Sequence, residues 1–303
     1  MTPFVDPSPY GARAPGPLVA AVLAATTRLP DNWLGLRTAI GLRRIAMSVL
    51  GDAPLDLSRW GLKLRLYPRG NGCEKNLAFT PQMFEPVERR ALAAAIAASA
   101  GEFAFVDIGA NVGLFSLFVV ARAGGRARVL AIEPQPGITD RLRFNLGTNK
   151  GLDVEVLAVA IADHDGEAAF AIDLRDRGGS RLMAVAPWIA AQGGGAPVVR
   201  VECRPLLAVL AERGYRKIDA LKIDVEGAED VALAPFLRDA PDALLPRLVI
   251  IEDSHHGWRV DLFDLFSERG YRVLARSKQN VILQRDGKSI APAAQRGRDP
   301  VRI

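Results

Sequence analysis

The stretch at residues 103–113, with the sequence FAFVDIGANVG, constrains the fold of this chain more than any other. Its first half is a short apolar run of β-favouring residues, which is typical of a parallel strand covered on both faces. Gly109 and Gly113 follow, and glycine lets a backbone turn sharply and approach a ligand closely. The apolar residues after Gly113 predict a helix whose N-terminus points at this turn. Together these parts predict a nucleotide-type cleft.

Composition places the chain among globular proteins with a large core. It has 303 residues, of which 49% are hydrophobic and 24% charged, enough for one large domain with an appendage. The net charge is +5, but Lys and Arg are scattered, which favours a solvated surface over a nucleic-acid-binding face. Cys73 and Cys203 lie far apart in sequence and form neither a metal motif nor a disulfide framework, so we expect a cytoplasmic protein.

The N-terminal region predicts helices but no membrane span. The apolar run beginning at Leu18 is too short and too Ala-rich to cross a bilayer, and no charged leader precedes it. For the helix predicted over residues 32–50 we favour a packing surface or a homodimer contact. Peripheral contact of residues 18–50 with a membrane is the alternative that we do not expect.

Strands and helices alternate from residue 103 to residue 284. This pattern predicts one doubly wound, mostly parallel α/β sheet, closed by a final hairpin that leaves an antiparallel strand at its edge. We expect residues 1–86 to form an extension and residues 289–303 a basic tail, with the catalytic domain at residues 87–288 between them. In the extension we expect a loosely packed or disordered segment at residues 1–17. The predicted principal strands are residues 103–108, 129–132, 154–162, 220–224 and 247–252, and a hairpin is predicted to pair residues 62–67 with residues 74–79.

An acidic residue stands at the carboxyl end of every principal strand. Ligands of open α/β sheets bind beyond these strand ends. A single acid at such a place commonly caps a helix, but five in corresponding positions predict a shared cleft. They are Asp107, Glu133, Asp163, Asp224 with Glu226, and Glu252 with Asp253.

The spacing around the glycine turn favours S-adenosylmethionine over NAD. Glu133 follows Gly113 by 20 residues and is placed to accept the ribose hydroxyls of either cofactor. NAD sites favour G-x-G-x-x-G, whereas here Asn111 takes the middle glycine position. Asp107, just before the turn, opposes a pyrophosphate but suits the cationic end of S-adenosylmethionine.

Several stretches together resemble one family. They are VDIGANVG at residues 106–113, IEP at 132–134, Asn145 and Asn149, AD at 162–163, and IDALKIDVEGAE at 218–229. On these residues the chain resembles the FkbM family of S-adenosylmethionine-dependent methyltransferases over roughly residues 85–285. The resemblance implies a class I, Rossmann-like methyltransferase fold and O-methylation of a hydroxyl on a sugar, glycan or natural product.

The resemblance also implies roles for particular residues. Asp163 is expected to face the adenine. Family members often carry Thr-Leu-Asp before the helix that precedes the fourth strand, but residues 202–205 here read Glu-Cys-Arg-Pro, so that Asp has no counterpart. The residues implied to line the cofactor are Asp107, Gly109, Asn111, Gly113, Glu133 and Asp163.

Methyl transfer to a hydroxyl is an in-line displacement that requires alignment and the removal of a proton. Candidate bases follow the fourth and fifth strands: Asp224, Glu226, Glu252, His255 and His256. Asp224, Glu252 and Asp253 are also hard ligands of the kind that Mg²⁺ binds, although cofactor binding or helix capping is favoured for them. Lys222, within a buried strand, requires a partner, and we expect a structural ion pair.

The sequence therefore predicts an S-adenosylmethionine-dependent O-methyltransferase with a small-molecule or glycan acceptor and no nucleic-acid partner. An NAD(P)-dependent oxidoreductase and a non-catalytic S-adenosylmethionine-binding module are the alternatives. We expect acceptor specificity to lie in residues 55–86 and 175–197, where Arg181 and Trp188 are candidate sugar contacts.

Overall fold

The computed structural model describes residues 5–30, 32–171, 181–182 and 198–285. Thirteen strands are described in these ranges, and they form three sheets. In chain order they are β1 Leu55–Arg59, β2 Leu62–Leu66, β3 Phe103–Ile108, β4 Ala127–Ile132, β5 Val154–Leu157, β6 Ala160–Ile161, β7 Gly166–Ala171, β8 Arg181–Leu182, β9 Val198–Arg204, β10 Ala220–Ile223, β11 Leu248–Glu252, β12 Tyr271–Arg276 and β13 Asn280–Arg285.

Helices precede the central sheet and then alternate with its strands. Short 3₁₀ turns complete several connections. The described α-helices are α1 Pro17–Thr26, α2 Trp33–Leu50, α3 Gly72–Phe79, α4 Pro86–Ala98, α5 Leu114–Ala123, α6 Pro136–Gly147, α7 Leu206–Glu212, α8 Glu229–Asp239 and α9 Leu262–Glu268. Within the described ranges, no helix combines the length and the apolar character needed to cross a membrane.

The central sheet has seven strands in the order β12-β13-β11-β10-β3-β4-β5. Strands β11, β10, β3, β4 and β5 pair in parallel, which confirms the predicted doubly wound α/β class. The closing hairpin forms one edge of the sheet: β13 pairs antiparallel with β11, and β12, the edge strand, pairs antiparallel with β13. The crossover through α9 carries β12 one position beyond β11, and the hairpin then returns β13 into the gap.

Alternate residues of each central strand pack on opposite faces of the sheet. Phe103 and Phe105 of β3 join one core with α4, α5 and the N-terminal elements. Ala104 and Val106 join a second core with α7, α8 and α9. Burial on both faces explains why the strand reads as a continuous apolar run. Asp107 lies on the same face as Phe105, beneath α5.

The third predicted strand is two separate strands. β5 ends at Leu157, and β6 leaves the central sheet to pair in parallel with β9. Strand β9 also pairs antiparallel with β7. The four strands form a small sheet of order β6-β9-β7-β8. This change of sheet places residues 159–161 beside the ends of β3 and β4.

The predicted disorder of the N-terminal tail is wrong for residues 5–16, because a buried arginine holds them. The guanidinium of Arg65 is 1% exposed and pairs with Asp56, with 2.7 Å between Nε and Oδ1. Buried guanidinium groups need acceptors for all of their donors. The tail supplies them as the carbonyl oxygens of Asp6, Ser8 and Pro9.

The predicted N-terminal hairpin is also corrected. Its strands are β1 and β2, joined by a turn in which Trp60 and Gly61 both have positive φ, as in tight hairpin turns. Residues 74–79, predicted as the returning strand, belong to α3. The Asn71 side chain caps this helix by accepting from the Glu74 amide at 3.1 Å. An Asn followed three residues later by Glu is a helix-start signal.

Two asparagines, Asn145 in α6 and Asn149 just after it, dock this hairpin onto the body that carries the central sheet. Asn145 Oδ1 accepts from the Arg65 amide at 2.8 Å. Asn149 accepts from the Lys63 amide at 2.8 Å and donates to its carbonyl at 2.7 Å. The two amide side chains thus satisfy backbone groups at the edge of β2, which would otherwise lie unpaired. Both asparagines are among the residues that carry the family resemblance.

Candidate functional site

A cavity of about 870 Å³, including its open mouth, lies at the carboxyl ends of β3, β4 and β10. Its concave form and its mixture of apolar walls with a few polar side chains are those of a small-molecule site. The N-terminal extension, the glycine turn, the β6 region and the end of β10 all contribute walls. The lining residues are Cys73, Phe84, Glu85, Asp107, Ile108, Gly109, Ala110, Asn111, Leu114, Phe115, Ile132, Glu133, Pro134, Gln135, Ile138, Val159, Ala160, Ile161, Phe170, Lys222, Asp224 and Val225.

The glycine turn packs against the protein itself. Gly109 has a φ of +73°, and a Cβ there would lie 1.9 Å from the carbonyl oxygen of Asp224. Gly113 has a φ of +82°, and its Cβ would lie 2.3 Å from Cδ1 of Leu142. Both positions therefore require glycine, because a side chain would clash with the end of β10 at Gly109 and with α6 at Gly113. Gly109 lines the cavity, whereas Gly113 does not.

Glu133 is held at the cavity wall by two backbone amides. Its Oε2 accepts from the Asn111 amide at 3.0 Å, and its Oε1 accepts from the Gln135 amide at 2.9 Å. Burial raises the pKa of Glu133 to about 7, although both hydrogen bonds favour the ionised form. The carboxylate is therefore fixed in orientation and retains acceptor capacity for a ligand hydroxyl.

Asn111 joins the turn to the extension. Its backbone is left-handed, with a φ of +52°, a conformation that asparagine tolerates better than most residues. Its Oδ1 accepts from the Val112 amide at 2.9 Å and from Asn71 Nδ2 at 3.0 Å. The residue that caps α3 thus also contacts the glycine turn.

Asp107 and Lys222 are paired in register across β3 and β10. Asp107 Oδ2 accepts from Ser116 Oγ at 2.6 Å and from the Ser116 amide at 3.1 Å. Lys222 Nζ lies 2.9 Å from Asp224 Oδ2 and 5.0 Å from the Phe115 ring. These contacts confirm the predicted ion pair of Lys222.

The charged groups around Lys222 shift its pKa and that of Asp107. Burial by itself lowers the pKa of Lys222, but the carboxylates of Asp224, Glu85 and Asp107 outweigh it and raise the pKa above its usual range. Burial raises the pKa of Asp107, and Lys222 opposes that shift. Lys222 is thus a permanent cation surrounded by carboxyl groups.

Glu85 is a cavity residue that the sequence analysis missed. It precedes α4 in a left-handed conformation with a φ of +38°, unusual for a residue with a side chain. Burial raises its pKa to about 7, while Lys222 opposes the shift, and Asn280 Nδ2 donates to its Oε2 at 3.3 Å. Only the following Pro86, at the first helical position, marks the place in sequence, and it indicates a helix start and not a ligand.

Glu229 organises the loop after β10. Its Oε1 accepts from the amides of Val225 at 3.1 Å and Gly227 at 3.2 Å, and its Oε2 accepts from Trp258 Nε1 at 2.9 Å. The last residue of the DVEGAE segment thus connects the loop after β10 to the chain beyond β11. Glu226 lies inside this loop with a φ of +57°. The structural role of Glu229 was also missed, because its partner Trp258 is distant in sequence.

Glu252, at the end of β11, carries a buried carboxylate oxygen, Oε2, with no hydrogen-bond partner among the described residues. Its pKa is raised to about 8, chiefly by burial and then by the negative charges of Asp224 and Glu226. Asp224, Glu226 and Glu252 therefore form one electrostatic group at neighbouring strand ends. A carboxyl group with a pKa near neutrality is suited to accept a proton.

Asp253, His255 and His256 are the other candidates after β11, and their contacts lie outside the cavity lining. Asp253 pairs through Oδ1 with His255 Nδ1, and its Oδ2 accepts from Arg276 at 2.9 Å. His255 and His256 are exposed on a 3₁₀ turn, with ring centroids 3.9 Å apart. Neither histidine lines the cavity, and Glu226, Glu252 and Asp253 are also absent from its lining.

The structure gives the predicted Mg²⁺ site at Asp224, Glu252 and Asp253 no support. Nowhere in the described ranges do three His, Cys, Asp or Glu side chains come together as metal ligands. Asp224 is neutralised by Lys222, and Asp253 by Arg276. These cations occupy the carboxylates that a metal would need.

Three predicted ligand contacts lie apart from the cavity lining or beyond what the structure describes. The Asp163 side chain is 58% exposed and pairs with His164, and it is absent from the lining, although Ile161 is present. Its contact with adenine stays a prediction. Trp188 lies outside the described residues, and for Arg181 only the backbone, in β8, is described.

The family model for the methyltransferase FkbM domain matches residues 107–273, more than half of the chain. The chain belongs to the FkbM methyltransferase family. This FkbM protein is accordingly an S-adenosylmethionine-dependent methyltransferase with a class I fold, which decides against the nicotinamide-dependent alternative.

Two named proteins are similar in sequence to this FkbM protein. It is 34% identical over 215 residues to the AMB antimetabolite synthetase AmbE of Pseudomonas aeruginosa, covering 59% of this chain but only 10% of AmbE. It is 32% identical over 192 residues to methyltransferase sdnD of Sordaria araneosa, covering 55% of this chain and 73% of sdnD. Among solved structures, the METTL16 methyltransferase domain is similar with 13% identity and a TM-score of 0.47, covering 92% of this chain and 97% of that one.

The cavity of this FkbM protein fits S-adenosylmethionine by charge. Glu85, Asp107, Glu133 and Asp224 line it, against the single ammonium of Lys222 among the lining residues. A cationic ligand offsets this excess of carboxyl groups, whereas a pyrophosphate would be repelled. When bound, S-adenosylmethionine supplies an electrophilic methyl group on its sulfonium.

Proposed function

We propose that this FkbM protein methylates a hydroxyl oxygen of a sugar, glycan or small natural product. The observation that carries the proposal is the buried, unpartnered Oε2 of Glu252. Glu252 is not among the lining residues, but it ends the strand next to β10, whose following residue, Asp224, lines the cavity. A hydroxyl acceptor must lose its proton during transfer, and a positioned carboxylate removes it. A thiol acceptor has less need of such a base, because its pKa of about 8.5 leaves part of it ionised near neutral pH.

In this proposal Glu252 is the general base and Asp224 positions the acceptor. Lys222 fixes the Asp224 carboxylate at the cavity wall through the 2.9 Å contact. Because the pKa of Glu252 is raised to about 8, the group is half-ionised near pH 8 and binds a proton readily. His255, oriented by Asp253, is the alternative base, and its exposure makes it the weaker candidate.

We propose cofactor roles for the cavity residues on the same grounds. Glu133 accepts hydrogen bonds from the ribose hydroxyls, since two backbone amides hold its carboxylate facing the cavity. Glu85, Asp107 and Asp224 surround the cationic part of the cofactor. Asn111 and Gly109 shape the turn, and Gly113 acts only through packing against α6.

The relatives support a natural-product acceptor over a macromolecular one. AmbE is named for the synthesis of an antimetabolite, and sdnD is named as a methyltransferase. The chain spans about a tenth of AmbE, so only the chemistry of one part of that synthetase is relevant. We therefore place small hydroxylated metabolites and sugars first among the acceptors to test.

The test is S-adenosylhomocysteine release with parallel sets of sugars, hydroxy acids, phenols, amines and thiols. We expect turnover with hydroxyl compounds and a fall in kcat of about 10²- to 10⁴-fold for Glu252→Gln, the usual worth of a general base. Glu268→Gln, an exposed glutamate on α9, is the matched control. Turnover confined to amines or thiols would overturn the proposal. Full activity in Glu252→Gln with loss in His255→Ala would reassign the base.

A further inference from the structure

One face of α2 is apolar, exposed and unpartnered among the described residues. Its exposed large hydrophobic side chains are Trp33 at 69%, Leu34 at 66%, Ile45 at 51% and Val49 at 60%. Together with Leu18 of α1, they are five of the nine large hydrophobic residues exposed in the described chain. Scattered single residues need no explanation, but a concentration of this kind marks an interaction surface.

The exposed residues of α2 occupy a single half of the helix. Successive residues of an α-helix are about 100° apart around the axis. On that spacing the exposed positions 33, 34, 37, 38, 41, 44, 45, 48 and 49 all fall within one half of the circumference. The opposite half carries the buried Gly35, Ala39 and Ala46. We call the exposed half the α2 face.

The charges of the α2 face have one sign. Arg37 and Arg44 are its only charged residues, and α2 contains no acidic residue. The Arg37 guanidinium lies 4.9 Å from the centre of the Trp33 ring. Arg43 points away from this face and donates to Asn76 at 3.0 Å and to Thr80 at 3.3 Å, both at the C-terminal end of α3.

We propose that the α2 face docks on an anionic lipid bilayer surface. An apolar helix face with arginines among its side chains and a tryptophan at one end suits the boundary between acyl chains and anionic head groups. A second copy of the chain suits the face less well. A two-fold pairing of α2 would bring the arginines of both copies together without an acidic residue on the helix to pair them.

The helix that carries the α2 face is connected to the cavity wall through α3. Arg43 joins α2 to α3, and Cys73 in the first turn of α3 lines the cavity wall. A bilayer held against α2 thus contacts the same N-terminal extension that closes one side of the cofactor site. The inference does not depend on the identity of the acceptor, because it rests on the surface alone.

The test is flotation of the full chain with vesicles of phosphatidylcholine, with and without phosphatidylglycerol. We expect binding to the anionic vesicles only, weakened by high salt. Leu34→Ser/Ile45→Ser is expected to lower the partition coefficient at least about tenfold, and Arg37→Gln/Arg44→Gln roughly 30-fold. Val273→Ser/Leu274→Ser removes two comparably exposed side chains of β12 and is expected to change nothing.

Unchanged circular dichroism and S-adenosylmethionine affinity verify that each variant is folded. Absence of binding to either vesicle, or equal binding to both, would overturn the proposal. So would light scattering that finds a dimer which Leu34→Ser/Ile45→Ser converts to a monomer, because the face would then belong to a second copy. Loss of binding in the β12 control would equally contradict it.

Discussion

Lys222 Nζ lies 2.9 Å from Asp224 Oδ2 at the inner wall of the cavity, where the lysine side chain is 4% and the aspartate 31% exposed. The pair closes the end of β10 and sets the charge balance of the cleft. Its removal therefore affects stability as well as activity.

We expect Lys222→Met to lower the free energy of unfolding by about 3 kcal/mol. Removing one partner of a buried ion pair leaves the other uncompensated, and the partial exposure of Asp224 keeps the loss at the lower end of the usual range. Urea unfolding measures it. Lys278→Met, at an exposed lysine, should stay within about 0.5 kcal/mol of the wild type. An equally small effect at Lys222 would show that the pair is not structurally important.

Glu133→Gln is expected to weaken S-adenosylmethionine binding by about 10- to 100-fold. Hydrogen bonds to a charged group contribute more than those to a neutral one, and an amide nitrogen would face the donating amide of Asn111 or Gln135. Calorimetry with S-adenosylhomocysteine, which carries the same ribose, provides the measurement. An unchanged dissociation constant would remove Glu133 from the cofactor site.

S-adenosylmethionine affinity should rise between pH 6 and pH 8. Burial raises the pKa of both Glu85 and Glu133 to about 7 from the ordinary glutamate value of 4.5. A bound cation favours their ionised forms, so binding releases protons in this window. Without the ligand the sign is opposite: the folded state holds protons that the unfolded state has lost, so these groups lower stability as pH rises from about 4.5 to about 7.

The change in melting temperature on adding the cofactor, recorded between pH 6 and pH 8, separates the effect of pH on cofactor binding from its effect on stability. The shift should grow with pH in the wild type and much less in Glu85→Gln/Glu133→Gln. S-adenosylhomocysteine lacks the sulfonium charge and should show a shallower dependence. A pH-independent shift with the wild-type protein would contradict the assigned charge coupling.

Gly109→Ala is expected to destabilise the fold by at least about 3 kcal/mol, since a left-handed residue gains a side chain and that side chain meets a backbone oxygen. The added Cβ would lie 1.9 Å from the Asp224 carbonyl oxygen. Gly125→Ala, where a Cβ meets nothing within 4 Å, is the control. Normal stability with only weaker cofactor binding would mean that Gly109 serves the ligand and not the packing.

The central strands and the turn were predictable because their signals are local. The apolar run of β3 and the glycines after it are read directly from adjacent residues. The acids at strand ends followed from sheet topology. Asp107, Glu133 and Asp224 line one cavity, whereas the other predicted acids are absent from its lining: Asp163, Glu226, Glu252 and Asp253. These features depend only on residues that are close together in the sequence.

The remaining features depend on contacts between distant segments. Arg65 holds the N-terminal tail through carbonyl oxygens of residues 6–9. No local sequence pattern predicts a contact of this kind. Glu85 reaches the cavity only because α4 packs beneath the sheet. The break between β5 and β6 depends on pairing with β9, more than 35 residues later. The boundaries proposed at residues 86 and 288 stay predictions.

Asn145 of α6 and Asn149 just after it bind the β2 edge, and Phe84 and Glu85 form part of the cavity wall. The first 86 residues are therefore not an interchangeable module. Exchanging this segment between relatives to alter acceptor choice would also exchange part of the cofactor's surroundings. Chimeras in this family should therefore be joined upstream of β1, because the carboxyl groups that line the cleft then all stay with one parent.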